Sequence, residues 1–232
     1  IVPLGVDFEY FVKRVIKENE FRKRILPEGK TILGVCINDN CHRKDWPRTL
    51  HSIQHAVKQW PELCFYIHTS INSKSNAHDL VQFANNLGLE IGYDVIFRGS
   101  YRVPDKDFIQ IYHAADFGLT CTTGEGFWLV GYEFAACGVP IVMPRTTGLS
   151  DWPRNGCYEI FFNLFTDYHE CIAFENPILR PIVSIDETLD AIRRCVPAIQ
   201  NKDYSVQENA YKWVRQWSWD NSYAKLKEAI GF

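Results

Sequence analysis

The sequence predicts an α/β fold: a doubly wound parallel sheet with helices on both faces, followed by a helical C-terminal tail. Three observations predict it. Short runs rich in β-branched and aromatic residues alternate with amphipathic stretches at helical spacing. Those runs are nearly continuous in apolar residues, as strands covered on both faces are. The 232 residues, 46% of them hydrophobic, suffice for one full core.

Taken in order, Thr31–Ile37 is the first strand. Pro47 suits a first helical position because it has no N–H to satisfy, and Leu50, Ile53, Val57 and Trp60 form the stripe that follows it. Leu63–His68 is the second strand, and Leu80, Phe83, Ala84 and Leu87 make a second stripe that Gly88 stops. Asp94–Phe97 gives the third strand, with Phe108, Ile109, Tyr112 and Ala115 as the third stripe. Phe117–Thr120 leads through a glycine-bearing loop into a helix over Leu129–Ala136, stopped at Cys137-Gly138, and Val139–Met143 is the fifth strand. Glu187–Val196, Ser205–Trp217 and Trp219–Ile230 read as successive helices. The turn-rich stretch Asn155–Pro181 receives no assignment. Upstream, Phe8–Arg24 is aromatic with scattered basic residues and reads as a solvated helix, with a membrane surface as the other reading.

Composition excludes several classes. With 25 basic and 28 acidic side chains the net charge is −3, so the basic excess of a nucleic-acid binder is absent. Aromatic residues at 14% and charged ones at 23% exclude disorder. No apolar run reaches the roughly 20 residues that span a bilayer. The chain opens Ile1-Val2-Pro3-Leu4-Gly5, without Met or a signal-peptide core, which suggests a start inside a longer protein. The eight cysteines are scattered, and Cys36, Cys64 and Cys137 lie in apolar elements. That usage fits a reducing, cytoplasmic compartment better than a disulfide scaffold.

In a sheet of this kind the ligand sits beyond the carboxyl ends of the strands. Two loops there carry chemistry. The first, Asn38-Asp39-Asn40-Cys41-His42-Arg43-Lys44-Asp45, places two adjacent cations before a helix, where a phosphate finds charge and backbone N–H groups. A solvated loop is the plainer reading. Cys36, Cys41 and His42 lack the spacing of metal-ligand pairs, so no metal site is expected. The second loop, Cys121-Thr122-Thr123-Gly124-Glu125-Gly126-Phe127-Trp128, sets Glu125 between two glycines at the mouth of a helix. A carboxylate there either caps the helix or meets a polyhydroxyl ligand. Glu133, inside an otherwise apolar helix, must reach solvent or find donors. Gly124-Glu125-Gly126 lacks the rest of a dinucleotide fingerprint.

The stretch Gly124-Glu125-Gly126-Phe127 through Glu133, with Ala136-Cys137-Gly138-Val139-Pro140, resembles the Glu-x7-Glu signature of retaining GT-B glycosyltransferases (glycosyl transferases group 1, family 4-like). Four further stretches match in register. Val2-Pro3-Leu4-Gly5-Val6-Asp7 resembles the family's P-N-G-V-D, and Arg43-Lys44 resembles the R-K that meets the donor diphosphate. Ile111-Tyr112-His113-Ala114-Ala115-Asp116 resembles L-Y-x-x-A-D, and Gln216-Trp217-Ser218-Trp219-Asp220 resembles F-S-W.

The resemblance implies a Rossmann-like C-terminal half of a GT-B fold: one nucleotide-sugar-binding domain over 1–232, its last helices (203–232) packing back. The domain that takes the acceptor, a glycan or another molecule, would lie outside the chain. Glu125 would face the donor sugar near its anomeric centre, and Lys44, helped by Arg43, would neutralise the departing diphosphate. Gly124, Gly126, Phe127, Trp128 and Leu129 would surround sugar and phosphate, chiefly through backbone N–H groups. Glu133 would accept from the ribose hydroxyls, and the backbone of Gly99–Val103, with Tyr101, would hold the base. The donor would be a UDP- or GDP-linked sugar, with no cofactor. Retention is implied by the family alone. A nucleotide-sugar-binding module without turnover and a GT-B-fold epimerase are the other functions considered; a phosphorylase would need a pyridoxal lysine, which nothing marks out.

Three departures stand out. Asn38-Asp39-Asn40 stands where the family often has an Arg, and Leu4 replaces an Asn. Trp128 replaces a common Gly; its indole could narrow the sugar pocket, stack on a sugar face, or pack under the helix.

Overall fold

The computed structural model describes residues 3–14, 19–71, 78–98, 103–161, 168–173 and 176–231. Six strands form one sheet: β1 (Ile32–Ile37), β2 (Leu63–His68), β3 (Val95–Arg98), β4 (Phe117–Leu119), β5 (Ile141–Pro144) and β6 (Tyr158–Ile160). Their order is β3-β2-β1-β4-β5-β6, and every pairing is parallel. The helices are α1 (Glu20–Ile25), α2 (Trp46–Gln59), α3 (Leu80–Asn86), α4 (Asp105–Ala114), α5 (Leu129–Ala136), α6 (Ile185–Gln200), α7 (Ser205–Val214) and α8 (Trp219–Ile230). A separate antiparallel hairpin joins β7 (Tyr168–Ala173) to β8 (Asn176–Pro181).

Every residue of β1 is buried, because helices cover both faces of the sheet. Leu33 and Val35 face one core with Tyr112 of α4 and Phe134 of α5. Cys36 faces the other, with Leu50 and Ile53 of α2 and Ile192 of α6. Gly34 is required by the rings beside it: a Cβ there would lie 2.4 Å from Phe65 of β2. Helix starts follow their caps. Asp45 turns the chain in a left-handed conformation (φ 46°), and its side chain accepts from the Arg48 N–H to open α2. Ser184, in an extended conformation, caps α6 by accepting from the Glu187 N–H.

The doubly wound sheet and the five expected strands are present, with differences at their edges. Asn155–Pro181 contains β6 and the β7–β8 hairpin. Phe8–Arg24 is not one solvated helix. Residues 8–10 form a turn, Glu20–Ile25 is the helix among the described residues of this stretch, and residues 15–18 lie outside the described set. Its aromatic residues Phe11 and Phe21 are buried in the core, which is why the segment is pinned instead of solvated. The helix expected over Ser205–Trp217 ends at Val214, and Ser218 caps a new one. There the two ends of the chain meet: the Val6 N–H donates to the Trp217 carbonyl at 2.7 Å. The seven cysteines whose side chains are described are free. Among the described residues no helix is long and apolar enough to cross a membrane.

Candidate functional site

The strand order reverses direction between β1 and β4, and the loops that follow these neighbours lie beyond their carboxyl ends, where sheets of this kind form the crevice that takes a ligand. After β1, a single 3-10 turn (His42–Lys44) precedes α2. It carries Arg43 and buries Lys44 to 8% exposure, so the solvated-loop reading fails for the lysine. After β4, the loop from Thr120 to Trp128 brings Glu125, itself buried, against the same two cations. Lys44 Nζ stands 2.5 Å from Glu125 Oε1, and Arg43 Nη1 stands 2.6 Å from Oε2. Arg43 also donates to the Gly124 carbonyl at 2.6 Å, and the Thr122 hydroxyl donates to Glu125 Oε1 at 2.8 Å.

Backbone contacts lock the two loops together. The Thr123 N–H donates to the Arg43 carbonyl at 2.9 Å. On the other side, the Glu125 N–H donates to Thr147 Oγ1 at 2.8 Å, and the Gly148 N–H donates to the Glu125 carbonyl at 2.9 Å. This approach demands glycine at 148, since a Cβ would lie 1.9 Å from the Gly126 carbonyl oxygen.

The carboxylate therefore does not cap α5, whose N-cap position, Trp128, supplies no side-chain hydrogen bond. Two cations face one carboxylate, which leaves a net positive charge in the crevice beside a helix start without a side-chain cap. Such a place favours an anion. Burial pushes the Lys44 ammonium below its usual range, and Glu125 opposes that shift. An ion pair this buried persists because its hydrogen bonds are made.

Trp128 resolves to packing. Its backbone is left-handed (φ 58°), the indole is only 5% exposed, and its Nε1 donates to Asn38 Oδ1 at 3.3 Å. The ring lies against Gly131, where a Cβ would sit 2.3 Å from it. Asn38, standing where an Arg was the family expectation, is thus engaged in holding the indole. Phe127 stacks on Tyr132, with ring centres 4.0 Å apart. Gly126 faces open space, and Leu129 is partly exposed at the first turn of α5.

Glu133 finds a donor. Tyr112 of α4 gives its hydroxyl proton to Glu133 Oε2 at 2.5 Å. Burial raises the Glu133 carboxyl above its usual 4.5, and the Tyr112 bond opposes the rise. The structure thus brings Arg43, Lys44, Gly124 and Glu125 into one cluster and sets Glu133 on α5 with its own partner. Tyr101 and residues 99–102, expected at the base, lie outside the described residues.

Two residues of the cluster escaped sequence reasoning. Thr122 stands in the second loop, where nothing in the sequence alone assigns it the bond it makes to Glu125. Thr147 lies beyond the carboxyl end of β5, the same position relative to its strand as the two loops singled out, and that rule could have found it.

Comparison with known proteins follows the same lines. A glycosyl transferase-like family profile matches residues 43–203. D-inositol 3-phosphate glycosyltransferase of Corynebacterium jeikeium (strain K411) is 25% identical over 152 residues, 64% of this chain and 36% of that protein. The α,α-trehalose-phosphate synthase (UDP-forming) of Zygosaccharomyces rouxii is 22% identical over 99% of this chain and 47% of its own length. The chain therefore spans less than half the length of these curated relatives. Sucrose-phosphate synthase from Thermosynechococcus elongatus shares the fold with a TM-score of 0.74 at 16% identity, covering 99% of this chain and 51% of that one. Anabaena Alr3699/HepE, solved in complex with UDP, also gives 0.74 at 16% identity, covering 98% of this chain and 56% of that one.

Proposed function

The chain belongs to the glycosyl transferase-like family, and we propose that it is the donor-binding part of a retaining enzyme that takes a sugar from a nucleoside-diphosphate sugar. One observation carries this reading: Arg43 and Lys44 from the loop after β1 converge on Glu125 from the loop after β4, at the switch point of the sheet. The solved relative that holds UDP has the same fold, which supports a nucleotide diphosphate in that crevice.

When the bond between the anomeric carbon and the diphosphate oxygen breaks, its electron pair leaves with the diphosphate. Negative charge grows there, so fixed cations stabilise the transition state more than the ground state. Arg43 and Lys44 supply that charge, and the first N–H groups of α5 add to it. Glu125 keeps both cations aimed and lies beside the place where the sugar would become electron-poor. Glu133, held by Tyr112, accepts from the ribose hydroxyls. The acceptor is a molecule bound largely by the remainder of a longer protein.

Calorimetric titration of the chain with UDP, GDP and ADP tests the reading. One nucleotide should bind, and Lys44→Ala and Glu133→Ala should each weaken it by roughly 10- to 150-fold, the effect of losing a charge-assisted hydrogen bond. Binding of none of the three, or no loss in both variants, overturns it.

A further inference from the structure

The charge around the Glu125 loop is not complete with Arg43 and Lys44. Arg180, on β8 of the hairpin, brings its guanidinium to the same loop. A Cβ placed on Gly124 would lie 3.1 Å from Arg180 Nη1 and 3.7 Å from Thr147 Oγ1. Arg43 holds the carbonyl of that same glycine at 2.6 Å, so two arginines from distant parts of the chain converge on one residue. Glu125 already answers Arg43 and Lys44. Arg180 is half-buried and has no hydrogen bond or ion pair among the described residues. Glu125 is thus one carboxylate beside three cations, and the repulsion among them is only partly offset.

An anion of more than one charge relieves that repulsion. A diphosphate esterified at both ends carries two negative charges and gains a third when one ester bond breaks. Arg43, Lys44 and Glu125 together supply one net positive charge, and Arg180 raises it to two. Its placement indicates which phosphate it meets. Val183, three residues beyond Arg180, packs in the core with α2 and α6. Tyr112, which holds Glu133, packs in the core on the opposite face of the sheet. With the ribose at Glu133, the nucleotide's first phosphate comes next, and its second lies farther toward Arg180. We infer that Arg180 is a third cation of the donor site and binds the phosphate that carries the sugar, where the N–H fork of a guanidinium matches two phosphate oxygens. The inference rests on the donor-site reading above for the direction in which the nucleotide crosses the site, and adds to it a residue of the hairpin.

Whichever of UDP, GDP and ADP the wild-type chain binds is titrated beside its own monophosphate and inorganic pyrophosphate, into wild type, Arg180→Ala and Arg180→Lys. Arg180→Ala should weaken the nucleoside diphosphate and pyrophosphate about tenfold while changing the monophosphate by less than about twofold. Arg180→Lys should recover part of the loss, because the charge returns without the fork. Unchanged affinity for the monophosphate also reports an intact fold. Diphosphate affinity indifferent to Arg180→Ala overturns the inference, and a Lys44→Ala loss in the same series would leave the donor reading standing. Equal losses of diphosphate and monophosphate overturn it too, since Arg180 would then act on the site as a whole. A wild-type chain that binds neither a nucleotide nor pyrophosphate overturns both readings. Pyrophosphate binding that needs Arg180 in a chain that ignores nucleotides would keep Arg180 as a diphosphate ligand and remove the nucleotide.

Discussion

Glu133 is the residue at which environment and role pull in opposite directions. It accepts from hydroxyls most strongly when ionised, yet burial on α5 raises its carboxyl above 4.5, with the Tyr112 hydrogen bond only partly offsetting the rise. The sign of the consequence is fixed. Between 4.5 and the raised folded value, the native chain holds a proton that the unfolded chain has released. Stability must therefore fall as pH rises through that window. Glu133→Gln removes the titration while keeping an acceptor for Tyr112. The gap in urea midpoint between variant and wild type should widen in the variant's favour from about pH 4 to about pH 7. A gap that stays constant over the range would show that the carboxyl does not titrate differently on folding.

At the scale of elements, the connection between β4 and α5 depends on a contact that a family consensus would not contain. Trp128 occupies a left-handed position and lays its ring on Gly131, one turn into the helix. Gly131→Ala should gain about 1 kcal/mol of helix propensity, yet its methyl would overlap the buried ring, and overpacking of this kind costs about 1–3 kcal/mol. In a Trp128→Gly background the ring is gone and only the gain remains. Urea unfolding of the four chains should therefore give a non-additive cycle, with Gly131→Ala destabilising in one background and neutral or stabilising in the other. Additive effects would mean that the ring can move aside.

The same scale shows what could be read from the sequence. β1 and β2 were legible because strands covered on both faces must be apolar at every position. β6 was not. It is a three-residue edge strand whose middle residue, Glu159, points away from the core and pairs with Arg145 at 3.0 Å. α1 was misread because its cations looked solvated. Arg22 in fact bonds Asp116 at 2.7 Å and the carbonyls of Ala114 and Thr31 at 2.6 Å each, partners that only the fold supplies. Arg43, Lys44 and Glu125 were each visible as loop residues after strands. Their meeting was not, because it depends on β1 and β4 being neighbours, and strand order is not a local property.

For the whole molecule, the decisive contact joins the two ends of the chain. Gly5 lies so close to α8 that a Cβ would stand 2.5 Å from the Trp219 nitrogen, and Val6, 3% exposed, bonds the Trp217 carbonyl beside it. This closure also lines a cavity of about 450 Å³, to which one end of the chain gives Pro3 and Leu4 and the other Trp217 and Lys225. Gly5→Ala should therefore act on one side of the molecule only. Amide hydrogen exchange at Val6 should quicken, because its bond opens without the rest of the sheet, while the paired amides of β1 and β2 keep their protection. Among the described residues no hydrogen bond or ion pair joins Arg43, Lys44 or Glu125 to this closure, so UDP affinity should stand in Gly5→Ala. A loss of UDP affinity in Gly5→Ala would mean that the two ends and the sheet form one cooperative unit, and the closure could then no longer be treated as separable from the crevice.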